Sequence, residues 1–344
     1  MFALNYITYR DKSFLHFYHT ASEGLCLKEK RKGRWSDTFH LCYEAKKGFC
    51  AYCDSDGVIH ILCTDDDGKI IYIKEKNLEW NQYILSEGNN EIIPVSFRIV
   101  KAGNIMNFFY SARYNASMIL VHCVLGDNAM PERIDALDTK HPEFCICDNK
   151  VYYTNENNVL GYRDFSDSKP GVFVELEKDA YFGYVTKVEG KEFLVYKKDN
   201  FLYVNHDRTY LDEKAMMPLL CQKDNKITLQ WQSGNFVRYL TSFNGGVTWS
   251  SPMRFINNGV GICRFFIQTE DRCEYSYGQN LRTEPVVYGK SNLFFSEVPV
   301  IRRPMAIGVE EKASDEYKKM QILIDLQKRE IKTLKSKIKE LEKS

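Results

Sequence analysis

Long apolar runs are missing from this chain of 344 residues. Without about 18 consecutive apolar residues, no membrane-spanning helix is predicted. The opening segment MFALNYITYRDK lacks both a basic patch and an apolar core of about 7–15 residues, so no secretory signal is read there and cytoplasmic residence is the expectation. A charge excess is missing as well. Lys and Arg number 47 against 46 Asp and Glu, a net charge of +1, which sets up no field to draw nucleic acid or an anionic membrane. The sequence also contains no G-x-S-x-G elbow, Walker loop, G-x-G-x-x-G or H-E-x-x-H motif. No cofactor is expected, and a non-enzyme is the favoured reading.

Cysteine is abundant, with 11 residues, an odd count. The cysteines fall inside apolar runs such as FCAYC (49–53), EFCICD (143–148) and GICRFF (261–266), where a reduced thiol acts as a small buried hydrophobe. Cys50 and Cys53 have motif-like spacing, but positions three apart on a strand face opposite ways. No second CxxC follows at zinc-ribbon spacing, so no metal site is predicted. His16 and His19 likewise fall on opposite strand faces. TDDDG (64–68) offers three carboxylates without the ligand spacing of a calcium loop, and it reads as a hairpin turn.

Alternation of apolar and polar residues dominates to about residue 296, in short runs broken by Asp, Asn and Gly. In KITLQWQ (226–232), Ile227, Leu229 and Trp231 share one face, predicted to be core, while Thr228, Gln230 and Gln232 share the other. FCAYC, VIHILC, KIIYIK and WNQYIL (49–85) form a four-strand meander separated by DSDG and TDDDG. Thr20 and Gly24 recur as Thr64 and Gly68, and Trp35 as Trp80. Further units follow at similar intervals. Four short strands repeated every 40 to 50 residues or so predict an all-β fold, a seven-bladed β-propeller over 1–298, with six blades as the alternative count. A pair of β-sandwiches fits less well, since no Pro/Gly/Ser-rich linker splits this region.

The segment SFNGGVTW (242–249) resembles the Asp-box, S-x-D-x-G-x-T-W, of sialidase-type propellers, through Ser242, Asn244, Gly246, Thr248 and Trp249. The resemblance implies a structural turn between the third and fourth strands of a blade. Sialidases also bind the substrate carboxylate with an arginine triad and carry a Tyr–Glu nucleophile pair. Phe97-Arg98-Ile99-Val100 is similar to their F-R-I-P motif, with Val100 in place of Pro, and alternation turns Arg98 away from Phe97 and Ile99. Arg282, Glu284 and Tyr288 form a later cluster of the same residue types. These four are the catalytic candidates under the sialidase reading.

The chain changes character after Pro299 and Pro304. Residues 299–313 read as a linker and 314–344 as a helix, with Ser314 as N-cap and Asp315 and Glu316 in the first turn. Tyr317, Ile324, Ile331 and Ile338 fall at heptad position a, and Met320, Gln327, Leu334 and Leu341 at d. Ile at a with Leu at d predicts a parallel dimeric coiled coil, with a trimer as rival. The expectation is a non-catalytic interaction protein. Its propeller would bind a protein or other ligand, and the coiled coil would make it multivalent. A glycan-binding or sialidase-like propeller is the alternative. Abundant Lys, Ile, Asn and Tyr point to a low-GC bacterial source.

Overall fold

Period-two alternation broken by Asp, Asn and Gly dictates short strands joined by tight turns, and the computed structural model contains these. It describes residues 4–288 apart from 47, 78, 89–91, 116, 126–130, 166–170, 189, 224–225, 256–261, 270–272 and 282–283. The linker (299–313) and the coiled-coil helix (314–344), with Tyr317, Met320, Ile324, Gln327, Ile331, Leu334, Ile338 and Leu341, lie outside the described residues. Among the described residues no helix is long and apolar enough to cross a membrane.

The first meander comprises β1 (Leu4–Arg10), β2 (Ser13–Thr20), β3 (Gly24–Arg31) and an outer strand in two pieces, β4 (Arg34–Trp35) and β5 (Phe39–Cys42). The second is β6 (Phe49–Cys53), β7 (Ile59–Thr64), β8 (Ile70–Lys76) and β9 (Glu79–Ser86). The third runs through β10 (Ile92–Ala102), β11 (Ile105–Tyr114), β12 (Ser117–Leu125) and the first half of β13 (Pro131–Cys147). The second half of β13 opens the fourth, continued by β14 (Lys150–Asn155), β15 (Val159–Asp164) and β16 (Val174–Lys178). The fifth is β17 (Ala180–Val188), β18 (Lys191–Lys198), β19 (Phe201–Val204) and β20 (Asp207–Leu211). The sixth is β21 (Ala215–Lys223), β22 (Lys226–Ser233), β23 (Phe236–Ser242) and β24 (Met253–Arg254). In the seventh, β25 (Ile262–Gln268), β26 (Cys273–Asn280) and β27 (Pro285–Val287) are described.

First strands pack in chain order, β1 on β6, β6 on β10, β10 on β13, β13 on β17 and β17 on β21, while β21 meets β26 of the seventh meander. The ring closes where β1 pairs in parallel with β25, Leu4 opposite Arg264 and Thr8 opposite Gln268. This closed ring of meanders is a β-propeller, and seven meanders are present among the described residues. Closure by pairing of the two first strands removes the free inner edge that an open ring would leave.

Turn chemistry fixes the strand registers. Asp11 and Lys12, Asp148 and Asn149, and Asn205 and His206 are consecutive positive-φ residues in two-residue hairpin turns, whose twist matches that of the flanking strands. Wider turns share another wiring, in which one side-chain oxygen accepts two backbone amides. Asp54 Oδ1 takes the N–H groups of Asp56 and Val58, Asp65 Oδ1 those of Asp67 and Lys69, and Asn155 Oδ1 those of Asn157 and Val159. In TDDDG the Asp65 oxygen is therefore committed to its own turn.

SFNGGVTW uses the same device at Ser242, whose Oγ accepts the Asn244 and Gly246 amides, and extends it through Asn244. Ser242 Oγ accepts Gly246 N–H at 2.9 Å and Asn244 Oδ1 accepts Thr248 N–H at 2.9 Å, while Asn244 Nδ2 donates to Thr248 Oγ1. Gly246 has φ of 90°, and Trp249 packs beside the cluster containing Trp231 and Leu240. The segment joins β23 to β24, the third strand to the fourth, as the strand pattern around it implies.

Apolar cores lie between neighbouring meanders, and this changes the reading of KITLQWQ. Ile227, Leu229 and Trp231 are buried as expected, but so are Thr228 and Gln230 on the other face. A middle strand of a blade is covered on both sides by adjacent blades, so its polar face must find partners there. Gln230 Nε2 donates to the Tyr288 carbonyl at 3.1 Å, and its Oε1 accepts Tyr277 N–H at 2.9 Å. This amide ties the sixth meander to the seventh. Ten of the eleven cysteines, all except Cys273, have described side chains; these are free, and all but Cys147 are buried.

Candidate functional site

Side chains of the inner strands meet at the middle of the ring, and Arg98 is among them. From β10 its Nε donates to Tyr275 Oη at 2.9 Å, and its Nη1 to Tyr6 Oη at 3.0 Å and to the Phe97 carbonyl at 2.6 Å. The guanidinium also stands 5.5 Å from the ring centroids of both Phe144 and Tyr275. One arginine thus reaches strands of the first, fourth and seventh meanders. A second, Arg264 on β25, donates from Nη1 to Tyr184 Oη at 2.9 Å. Arg98 is 6% exposed, Arg264 5% and Glu143 9%.

The hub's electrostatics are incompletely balanced. Burial pushes the Glu143 carboxyl upward, opposed by the Arg264 and Arg98 charges. Burial likewise raises Tyr6, Tyr184 and Tyr277, so these phenols stay protonated. Glu143 Oε1 and Arg264 Nε have no hydrogen-bond partner. Two buried guanidinium groups, which keep their charge on burial, face one carboxyl with a raised pKa.

A different arrangement lies where the first-to-second-strand turns of the first three meanders come together. A groove of about 1020 Å³ is lined there by residues including Arg10, Asp54, His60, Tyr72, Glu75 and Lys101. Buried His60 links Tyr72 Oη at Nδ1 (2.7 Å) to Asp54 Oδ2 at Nε2 (3.2 Å). Arg10 pairs with Glu75 and donates to the Gly57 carbonyl at 3.3 Å. Lys101 Nζ lies 2.8 Å from Asp56 Oδ2 and 3.6 Å from Asp54 Oδ2. The Tyr72 and Tyr83 rings stack 5.9 Å apart, and Tyr83 is 40% exposed.

Each titrating group in the groove has a nameable cause. Burial works against the Asp54 charge, but the Val58 amide, His60 and Lys101 prevail and hold the carboxyl below its usual range. Burial lowers His60 against the pull of Asp54, so the ring is neutral near pH 7. Burial pushes the Tyr72 phenol up. A smaller opening of about 740 Å³ lies where second-to-third-strand turns meet, lined by His19, Tyr43, Lys46, Asp65 and Ile93 among others.

Arg98 is in the hub. Tyr288 is buried beyond β27, its ring stacked 4.2 Å from Phe255 and its hydroxyl without a partner. Glu284 is half-buried before β27, and Arg282 lies outside the described residues. The sequence reading missed Arg264, Glu143 and His60. Arg264 and His60 carry a legible signal, since each is a polar residue flanked by apolar neighbours inside a strand, as Arg98 is.

No protein-family model and no curated protein matches the chain. Among solved structures, a mutant of the Aleuria aurantia lectin in complex with alpha-methyl-L-fucoside is 9% identical, with a TM-score of 0.44, over 81% of this chain and 87% of that one. A mutant of AofleA from Arthrobotrys oligospora is 11% identical, with a TM-score of 0.45, over 83% and 80%. BBS1N in complex with ARL6DN is 11% identical, with a TM-score of 0.47, over 69% and 76%. These superpositions are too loose to carry the fold, which rests on the strand topology.

Proposed function

We propose that this protein is a non-catalytic binding propeller that receives a charged protein surface in the groove of its first three meanders. Residues 314–344 would gather copies through a parallel coiled coil, dimeric or trimeric, and so raise avidity. The groove carries the reading, because its acids and bases of both signs stand around a large opening beside the exposed Tyr83 ring. Its Tyr72–His60–Asp54 chain does not have the character of a nucleophile relay. An activated nucleophile needs a lowered pKa or a base able to take its proton, whereas Tyr72 is raised and His60 lowered.

Photo-crosslinking tests the assignment. A photoreactive residue replacing Lys101 should give protein adducts in cells, whereas one replacing the exposed Lys214 should not; no adduct from position 101 removes the groove from consideration. Light scattering on the full chain and on residues 1–305 tests the multivalency, and equal monomeric masses would remove it.

The alternative is a glycan-binding or sialidase-like propeller, favoured by the two hub arginines and the unpartnered Arg264 Nε. An array including sialosides, read together with turnover of a sialoside substrate, separates the two. Sialoside binding abolished by Arg264→Met would replace the first reading with the second.

A further inference from the structure

Strands β3 and β5 pair antiparallel with Cys26 opposite His40, which puts both side chains on one face of the sheet. Glu23 closes the turn before β3, where its amide donates to Thr20 Oγ1 at 3.1 Å. The register and the turn together bring three unlike donors to one point. The Glu23 carboxylate, Cys26 Sγ and His40 Nδ1 lie within 4.8 Å of one another, with Sγ and Nδ1 3.8 Å apart.

The surroundings favour a ligand role for each group. Cys26 is fully buried, and besides His40 its thiol meets the Glu23 and Gly24 carbonyls at the long distance of 3.8 Å. Tyr43 stacks on the His40 ring at 5.1 Å with a 15° tilt, which holds the imidazole plane. Glu23 and His40 are half-buried, leaving a way in for an ion.

We infer that Glu23, Cys26 and His40 form a three-ligand site for a divalent transition metal, zinc by preference. A thiolate, an imidazole and a carboxylate together match zinc, and three protein ligands leave the fourth tetrahedral position to water. Two anionic ligands balance the charge of the ion. On binding, the Cys26 S–H bond breaks, a sulfur–metal bond forms and the proton passes to solvent. Burial, reinforced by Glu23, pushes the free thiol up to about 11, so affinity should rise with pH as the proton becomes easier to displace.

A second cluster, Cys147, Asp148 and Glu192, provides the internal control. Lys187 pairs with Asp148, and Lys150 lies 3.7 Å from Glu192, so its carboxylates already have cations. The absence of a metal motif had argued against any site. Glu23-x-x-Cys26 and His40 form no recognisable spacing, and only the β3–β5 register unites them.

The test is cobalt titration of the full-length, reduced, chelator-stripped protein, followed by zinc competition. One equivalent of cobalt should produce a thiolate-to-metal charge-transfer band that zinc abolishes. Cys26→Ser should eliminate the band, Cys147→Ser should leave it intact, and Glu23→Gln and His40→Gln should weaken binding at least about tenfold. Zinc should also raise the melting temperature of the unmodified protein but not of Glu23→Gln, which keeps the inference testable if Cys26→Ser fails to fold. Absence of the band at excess cobalt, or its loss in Cys147→Ser with retention in Cys26→Ser, would overturn the site.

Discussion

The hub and the groove are both built from charged and phenolic side chains, yet they solve opposite problems. In the hub, Arg98 is enclosed by Tyr6, Phe144 and Tyr275, so its donors serve the ring itself. In the groove, Lys101 and Asp56 form an ion pair at the surface, with Asp56 largely exposed. Removing a buried charge strands its partners, whereas removing an exposed one lets water replace it. Polar density alone therefore does not mark a binding site; both regions pair their polar groups, and what separates them is that the hub's pairs are buried while Lys101, Asp56 and Tyr83 stand where water and a partner can reach them.

Substitutions can break this contrast, and the largest effect is expected at its centre. Arg98→Ala should cost about 1–3 kcal/mol of stability, read by chemical denaturation, because it removes the buried donor to the Tyr6 and Tyr275 hydroxyl oxygens. A change below about 1 kcal/mol would show that the hub is not the structural keystone. Gln230→Leu should cost about 1–3 kcal/mol, since it removes the side-chain acceptor of Tyr277 N–H and leaves the Tyr288 carbonyl to Ser276 alone.

A pH series sharpens the same distinction on an uncharged group. His16 is buried against Tyr18 and Phe265 with neither ring nitrogen partnered, and burial lowers it from 6.5 to about 3. The unfolded chain takes up a proton below about pH 6.5 while the fold does not, so stability falls on acidification, by about 1.4 kcal/mol per pH unit. His16→Phe should flatten that slope between pH 6.5 and 4. An unchanged slope would place the acid sensitivity elsewhere.

Smaller effects are expected on the rim. Gly246→Ala should cost about 1 kcal/mol, because its φ of 90° strains a residue with a Cβ. Tyr83→Ala should shift stability by no more than about 0.5 kcal/mol while abolishing partner crosslinking from the photoreactive residue at position 101. A groove variant that unfolds the protein would merge the two regions into one structural network.

The legible parts of this molecule are those written in local pattern. Alternation and the Asp and Gly turns yielded the strands and the repeated meander. Arg98 was singled out by the resemblance of residues 97–100 to the F-R-I-P motif, and alternation only set it on the face opposite Phe97 and Ile99. That Arg264 and Glu143 share the hub with Arg98 was missed because they lie 166 and 45 residues from it along the chain, in other meanders, a relation no local window contains.

By itself, then, the sequence determined short strands, tight turns and a propeller repeat, because backbone dihedrals and side-chain alternation are set by neighbours a few residues apart. Tertiary structure decided which polar residues of those strands meet. Gln230 became a buried tie instead of a surface amide, His60 joined Asp54 to Tyr72, and Cys26 came to face His40. The physical reason is that ring closure and strand register fix these distances, and both are properties of the whole assembly of blades.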